Sequence, residues 1–356
     1  MATKTTTETT HYHIQKRRRA AFIEEWRQYR NTVVRRRDVT MHETAPGLSR
    51  GVYTGMDGDR PTRTMDALAH ELDPGTTTTT NRHSWDAMVF CVSGWGWAEI
   101  GSERIAFGPG DSLHLPAWAW HRFGNDGPGR CRYLTFSCEP LMHTMGFSIY
   151  EEAGHTPVNE QSPPPTQSPG IAGDDPYARR LRRLDREQAK RRSGRLHTSW
   201  DDLELRNTPR GTRTTFLLDR AIGYQASGMS MAMFELAPGR GQSMHRHPGE
   251  AWLYVVEGRG YSFMGTEPDV GENHEWQQGD IIVVDHFLWH AHHNADPDRT
   301  AKVVRIHMFD SLLETMRVLT DPLVLFEEPP DEARDKQAGD PSTVDWPPLT
   351  RPTWTW

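Results

Sequence analysis

The sequence predicts an all-β protein built from two small β-barrels in tandem, with helices flanking them. Short apolar runs separated by glycine, proline and asparagine fill residues 47–150 and return in residues 211–310. Regularly spaced short strands with such turn signals are typical of barrels and sandwiches. The two regions also align with each other, and polar segments precede, separate and follow them.

Composition sets limits on the fold and on the class of function. The chain has 356 residues, of which 35% are hydrophobic, so a packed core is possible if the polar segments lie outside it. A net charge of -7 argues against a general nucleic-acid binder, and 3 cysteines exclude a disulfide framework. The sequence has neither an apolar run long enough to span a membrane nor a signal peptide, so we expect a cytoplasmic protein without membrane partners.

Residues 1–46 form a basic N-terminal arm. A helix is predicted over Lys16–Asp38, where apolar residues recur at roughly helical spacing among nine basic residues. Such a run usually marks a solvated face or a helix that docks on an acidic neighbour, although a patch for nucleic acid or another anion is the alternative.

Two further polar segments complete the chain. Residues 151–210 combine a linker rich in proline and serine with a second basic helix over Tyr177–Arg195. Residues 311–356 close the second barrel with a helix and continue as an acidic, proline-rich tail. We expect this tail to be an extended arm, lying on a neighbouring subunit.

The two β regions carry the same motif twice. Residues match at a spacing of 164 up to the glycine after the first strand, and at 169 beyond a hairpin that is five residues longer in the second copy. The matched pairs are Asn81 with His245, His83 with His247, Asp86 with Glu250, Gly94 with Gly258, Asp111 with Asp280, His121 with His290 and Asn125 with Asn294.

Histidines concentrate in the second copy, which holds eight of the 18 between His245 and His307. His245 and His247 lie two apart on a predicted strand and so point the same way, towards His290 on a partner strand. Three such imidazoles predict a transition-metal site, for which the ligand type alone allows Fe, Zn, Ni, Cu or Mn.

The matching positions of the first copy are Asn81, His83 and His121. Asparagine in place of histidine removes a good metal ligand. We therefore interpret this set as a vestigial site in a barrel kept for packing, with a weaker second metal site as the alternative.

The segments GRGQSMHRHPGEAWLYVVEG and GDIIVVDHFLWHAHHN resemble the two conserved cupin motifs. The chain thus resembles a bicupin, which implies two double-stranded β-helix (jelly-roll) domains. Cupins with a glutamate ligand place it seven residues before the motif glycine, where this chain has Ala251. Glu250 is adjacent and should face the other way. The resemblance therefore implies a site of three histidines with open coordination positions.

Among bicupins, this pattern resembles the gentisate, salicylate and 1-hydroxy-2-naphthoate dioxygenases, which use Fe(II) and O2. That resemblance assigns to His292 a role in substrate binding or proton transfer. Two features depart from it: the complete site lies in the second copy, and Leu253 occupies the position of the arginine that holds the substrate carboxylate. From strand parity we predict Arg305 and His307 as substrate-binding residues, with Trp289 as a wall of the pocket.

The resulting prediction is an Fe(II)-dependent, extradiol-type dioxygenase that opens a monocyclic hydroxylated aromatic acid and incorporates both atoms of O2. Candidate substrates are gentisate, salicylate and amino-, nitro- or halo-substituted salicylates. The alternatives are another metal-dependent bicupin enzyme, such as a decarboxylase or isomerase, and a non-catalytic binding protein. The resemblance also implies a homo-oligomer, a dimer or a tetramer, in which the basic arm and the acidic tail provide complementary charges.

Overall fold

The computed structural model describes residues 10–28, 32–56, 62, 64–162, 172–226, 228–247, 249–286, 288–308 and 338–353. Within them the chain is predominantly β, with two similar units in tandem and few helices, which confirms the predicted fold class. No helix in the described ranges combines the length and the apolarity needed to cross a membrane. The helix predicted after residue 309 falls outside the described residues.

Twelve strands precede the linker. They are β1 (Val33–Val34), β2 (Met41–Ala45), β3 (Leu48–Thr54), β4 (Asp66–Leu72), β5 (Asn81–His83), β6 (Ala87–Ser93), β7 (Gly96–Ile100), β8 (Glu103–Phe107), β9 (Ser112–Leu115), β10 (His121–Gly124), β11 (Cys131–Ser137) and β12 (Tyr150–Glu152). We refer to β2–β12 as the first repeat.

Ten strands follow the linker. They are β13 (His197–Thr198), β14 (Arg206–Asn207), β15 (Arg213–Leu218), β16 (Met229–Leu236), β17 (Ala251–Glu257), β18 (Arg259–Glu267), β19 (Val270–Gln277), β20 (Ile281–Val284), β21 (Trp289–Asn294) and β22 (Ala301–Met308). We refer to β14–β22 as the second repeat.

The helices differ in part from the prediction. Helix α1 spans His11–Gln28, whereas Val33–Val34 is a strand, so the helix predicted over Lys16–Asp38 is too long at its C-terminal end. Two β-branched residues next to an accessible sheet edge favour pairing over a further helical turn. Helix α2 covers Glu139–Thr144, and α3 covers Pro176–Arg192 after an Asp175 cap that accepts two backbone N–H groups.

Each repeat consists of two sheets rather than one continuous closed barrel. In the first repeat, the sheet β13-β9-β6-β11-β4-β3-β2 faces the sheet β12-β5-β10-β7-β8. In the second, the sheet β1-β20-β17-β22-β16-β15-β14 faces β19-β18-β21. Val89 and Cys91 of β6 pack against Ala98 and Phe107 in the first core, which is the arrangement of a jelly roll.

The two large sheets also pack on each other by their outer faces. Phe90 of β6 and Tyr254 of β17, which are equivalent positions of the repeat, bring their ring centroids within 6.0 Å. Met88 and Trp252 belong to the same buried cluster. These strands are therefore covered on both sides, which explains why they are continuous apolar runs rather than alternating ones.

The segment before each repeat pairs with the other repeat. Strand β1 continues the sheet of the second repeat through Val33 and Ile282, and β13 continues the sheet of the first through His197 and Leu113. The two segments lie 164 residues apart. The duplication therefore begins at about residue 33, upstream of the motif alignment.

The described part of the C-terminal tail lies on its own chain. The Arg213 guanidinium, in the second repeat, donates to the Pro347 carbonyl. Arg351 forms ion pairs with Asp111 of the first repeat at 2.9 Å and with Asp201 at 2.7 Å. The described part of the tail thus joins the two repeats, and its contact with a neighbouring subunit stays a prediction.

The motif glycines are required by the backbone. Gly94 and Gly258 end β6 and β17 with φ values of +75° and +98°, in the left-handed region that side chains disfavour. A Cβ atom at Gly94 would also collide with the Arg130 carbonyl oxygen. This explains why the repeat keeps a glycine at this position.

Candidate metal centre

Three histidines of the second repeat converge. His245 and His290 form an antiparallel backbone pair, with N–H to carbonyl distances of 3.0 and 2.9 Å, so their side chains point to one face. His247 lies two residues on and shares that face. One ring nitrogen from each of the three lies within 4.8 Å of the others. The structure thus brings together the three residues that the spacing predicted as ligands.

Backbone carbonyls orient two of these rings. His245 Nδ1 lies 3.0 Å from the Ser243 carbonyl oxygen, and His290 Nδ1 lies 2.8 Å from that of Leu288. Because a carbonyl can only accept a hydrogen bond, each Nδ1 carries the proton and each Nε2 keeps its lone pair. This is the arrangement that imidazole ligands of metals adopt, so the donor set fits a transition metal.

Burial keeps the imidazoles neutral, as metal ligands must be. His245, His247 and His290 are each exposed by 5% or less. Burial lowers the pKa of His290 to about 4, with a smaller contribution from Arg210. Burial, followed by neighbouring histidines, also holds the pKa values of His245 and His247 well below their ordinary range.

The three histidines border a cavity of about 610 Å³. Its walls combine apolar side chains with a few polar ones, and two arginines contribute guanidinium groups. The lining residues are Thr208, Pro209, Arg210, Thr212, Thr214, Phe216, Asp219, Ala221, Ala232, Phe234, Gln242, His245, His247, Ala251, Leu253, His290, His292 and Arg305.

Arg305 borders the cavity as strand parity predicted, whereas His307 does not. Arg305 lies opposite Leu253 in the pairing of β17 and β22. His307 lies opposite Ala251, is fully buried, and packs edge-on against His247 with ring centroids 4.6 Å apart. His307 therefore packs against the His247 ring and does not contribute to the cavity wall.

Trp289 does not border the cavity either. It precedes His290 on β21, so its side chain points to the opposite face, where it packs with Met244 and Ala291. The Arg246 guanidinium lies 4.6 Å from the Trp289 ring. The same pair recurs in the first repeat, where Arg82 lies 4.5 Å from Trp120. A pair present in both repeats indicates a structural role, in place of the substrate contact predicted for Trp289.

His292 lines the cavity beside the three grouped histidines. Its ring centroid lies 5.5 Å from that of His290, and it is 3% exposed. Its Nδ1 lies 2.7 Å from Ser262 Oγ on the neighbouring strand β18. The Ser262 contact depends on strand register, which the sequence alone does not supply.

Glu250 points away from the three histidines, as strand alternation predicted. Ala251 borders the cavity, whereas Glu250 groups with Asp285 and His286 elsewhere in the repeat. No carboxylate of the described residues joins the three-histidine group.

Arg210 is a cavity residue that the sequence did not predict, because it lies in a loop without periodicity. Its backbone carbonyl accepts a hydrogen bond from the Ser243 N–H, two residues before His245.

The first repeat keeps the same backbone without the full ligand set. Asn81 pairs with His121 as His245 pairs with His290. The rings of His83 and His121 lie 4.8 Å apart, and their Nδ1 atoms contact the carbonyls of Trp85 and Ala119. Two imidazoles thus remain in ligand-like orientation, and the third position is an amide.

Comparisons with known proteins agree with this architecture. The Cupin domain family matches residues 69–137 and 232–307. A 5-aminosalicylate 1,2-dioxygenase of Comamonas sp is 32% identical over 104 residues, which is 29% of this chain and 27% of that protein. A 1-hydroxy-2-naphthoate 1,2-dioxygenase of Nocardioides sp. (strain KP7) is 27% identical over 125 residues, which is 35% of this chain and 32% of that protein. The chain therefore matches only about a third or less of each relative's length.

Solved structures share the fold. Salicylate 1,2-dioxygenase from Pseudoaminobacter salicylatoxidans, in adducts with gentisate, superposes with a TM-score of 0.53 at 18% identity, over 73% of this chain and 72% of that chain. An oxalate decarboxylase of Lactobacillus farciminis, as a formate complex, superposes with a TM-score of 0.56 at 15% identity, over 83% and 94%. The chain therefore contains two cupin domains in tandem, the arrangement of a bicupin, and the two relatives it resembles are named as dioxygenases of hydroxylated aromatic acids.

Proposed function

We propose that this protein is an iron(II)-dependent dioxygenase that opens the ring of a monocyclic hydroxylated aromatic acid. The observation that carries the proposal is a group of three buried, neutral imidazoles at a cavity that guanidinium groups also border. The two curated relatives are both named as dioxygenases that act on hydroxylated aromatic acids. Both observations favour the same class of chemistry.

The ligand set leaves room for reactants. Three histidines, with no carboxylate from the described residues in the group, leave open coordination positions on a metal. Iron(II) held by His245, His247 and His290 would supply redox chemistry that couples O2 to an electron-rich ring. The protein itself keeps the imidazoles neutral, and the cavity beside them would orient the reactants.

The remaining cavity groups suit an aromatic acid. Phe234, Phe216 and Leu253 provide apolar wall for a ring, while Arg305 and Arg210 provide planar guanidinium groups for a carboxylate. The volume of about 610 Å³ lies within the range typical of small-molecule sites. We assign the substrate carboxylate to Arg305, with Arg210 as a second cation at the same cavity, and a hydrogen bond to the substrate to His292.

The test is anaerobic loading of the purified protein with Fe(II), followed by O2 uptake with gentisate, salicylate and 5-aminosalicylate. Uptake accompanied by the absorbance of a ring-opened product is the expected result. A matched pair of variants controls for the site: His247→Ala should abolish uptake, and His83→Ala at the equivalent position of the first repeat should retain it.

Protein that binds iron but shows no uptake with any substrate of the panel would overturn the dioxygenase proposal. Release of CO2 from a carboxylic acid without O2 consumption would then assign a decarboxylase. Binding of aromatic acids without turnover would assign a non-catalytic bicupin.

A further inference from the structure

A hydrogen-bonded chain of three buried side chains lies behind the cavity. Trp276 Nε1 donates to Ser262 Oγ at 3.0 Å, and Ser262 Oγ lies 2.7 Å from His292 Nδ1. Ser262 is fully buried, and Trp276 and His292 are 2% and 3% exposed. His292 is the only member of this chain that borders the cavity.

The donor and acceptor chemistry of these three side chains determines where their hydrogens lie. An indole N–H can only donate, so Trp276 occupies a lone pair of Ser262 Oγ. The Ser262 hydroxyl hydrogen then needs an acceptor, and within the described residues its remaining partner is His292 Nδ1. We propose that Trp276 and Ser262 hold His292 as the tautomer with its proton on Nε2, which places an N–H donor at the cavity.

This tautomer is opposite to that of the metal ligands. The Nδ1 atoms of His245 and His290 contact carbonyl oxygens and carry the proton, which frees Nε2 for a metal. His292 Nδ1 accepts from a hydroxyl instead, so its Nε2 carries the proton and cannot coordinate. Four histidines line the cavity, and these partners would separate His245 and His290, as ligands beside His247, from His292 as a hydrogen-bond donor.

The first repeat provides an internal comparison. The positions equivalent to Ser262, Trp276 and His292 are Ala98, Phe107 and Phe123. The register is the same, because Ala98 pairs with Phe123 as Ser262 pairs with His292. The apolar trio accompanies the incomplete ligand set, and the polar trio accompanies the complete one. The polar chain is therefore not required by the fold, which accommodates an apolar core at the same three positions.

The donor would serve a bound anion. Its hydrogen bond would meet a carboxylate or phenolate oxygen of a ligand beside the metal, and this consequence rests on the proposed function. Ser262 and Trp276 would act as positioning residues, because they act through His292 and do not border the cavity. The tautomer itself can be measured without turnover, so a failure of the proposed activity would leave it in place.

The experiment is ¹⁵N NMR of the histidine side chains in the zinc-loaded, full-length protein, with His292 assigned by its absence in His292→Asn. The wild-type ring is expected to show an unprotonated Nδ1 and a protonated Nε2. In Ser262→Ala, a substantial population should shift to the tautomer with the proton on Nδ1, whereas Ser262→Thr, which keeps the hydroxyl, should match the wild type. Trp276→Phe, which keeps an aromatic ring but removes the indole N–H, should weaken the preference.

Zinc content and thermal unfolding serve as structural controls, and each variant should bind as much zinc as the wild type. A wild-type His292 with its proton on Nδ1 would overturn the proposal, as would an unchanged tautomer in folded Ser262→Ala. If Ser262→Ala does not fold, the wild-type spectrum and Trp276→Phe decide the matter by the same criteria.

Discussion

Leu253 and Arg305 lie directly opposite each other on the neighbouring strands β17 and β22, and both side chains border the cavity. Opposed residues of an antiparallel pair have Cβ atoms only about 5 Å apart. Arg305 thus borders the cavity next to Leu253, the position at which the sequence resemblance led us to expect an arginine.

This relationship predicts the effect of moving the cation. Arg305→Leu should raise the KM for a carboxylated substrate about 10- to 100-fold, the equivalent of the ~1.5–3 kcal/mol of a hydrogen bond to a charged group. The double variant Leu253→Arg/Arg305→Leu returns an arginine to the opposing strand and should recover part of that loss. Steady-state kinetics of O2 uptake measures both effects. An unchanged KM in Arg305→Leu would remove this residue from substrate binding.

Metal content should depend on one repeat only. His247→Ala should lower bound metal from about one ion per chain to nearly none. Losing a residue that merely supports a ligand lowers metal affinity by about 10- to 100-fold, and losing the ligand itself should lower it further. His83→Ala at the equivalent position should leave the content unchanged. Elemental analysis after Fe(II) or Zn(II) loading measures both variants, and a loss of metal in His83→Ala would indicate that the first repeat also binds.

The first repeat should regain a site through one substitution. Asn81 is paired with His121 as His245 is with His290, and His83 lies beside it. Asn81→His would complete three imidazoles on a backbone that already has this register. Bound Zn(II) is expected to rise from about one towards about two ions per chain. A content that stays at one would show that the walls of the first repeat have closed around the vestigial site.

Metal-free protein should lose stability in mild acid. Burial lowers the pKa of His121 from 6.5 to about 4 and that of His83 to about 3. The unfolded chain takes up protons as the pH falls through about 6.5, whereas the folded chain does not until about 4, so the free energy of unfolding falls across this interval. For His121 the loss approaches about 2 kcal/mol at pH 5.

Urea unfolding of the metal-free protein at about pH 7.5 and pH 5 measures this loss. The decrease between the two pH values should be smaller in His121→Gln than in the wild type. It should be unchanged in His143→Gln, which alters an exposed histidine of α2. An equal decrease in all three proteins would assign the acid sensitivity to other groups.

Local patterns were sufficient for much of the prediction. The spacing of His245, His247 and His290, with the glycine between them, predicted both the repeat and the three-histidine group, because strand alternation acts over two residues. Alternation also placed Glu250 away from the three histidines and Arg305 at the cavity, but it predicted the same for His307, which does not border the cavity. The same alternation places Trp289 on the face opposite His290, which is inconsistent with the predicted substrate contact of Trp289.

Contacts between distant segments were outside the reach of the sequence. The sequence predicts Val33–Val34 as the end of a helix, but pairing with the edge of β20 makes this segment a strand. The C-terminal tail packs on its own chain because Arg351 forms ion pairs with Asp111 and Asp201. The pairing of Leu253 with Arg305, and of Ser262 with His292, depends on register between strands 52 and 30 residues apart. A single sequence specifies which way each side chain points along its own strand. Only tertiary packing decides which residue lies opposite. It therefore decides that the Arg305 side chain borders the cavity beside Leu253, and that Ser262 contacts His292.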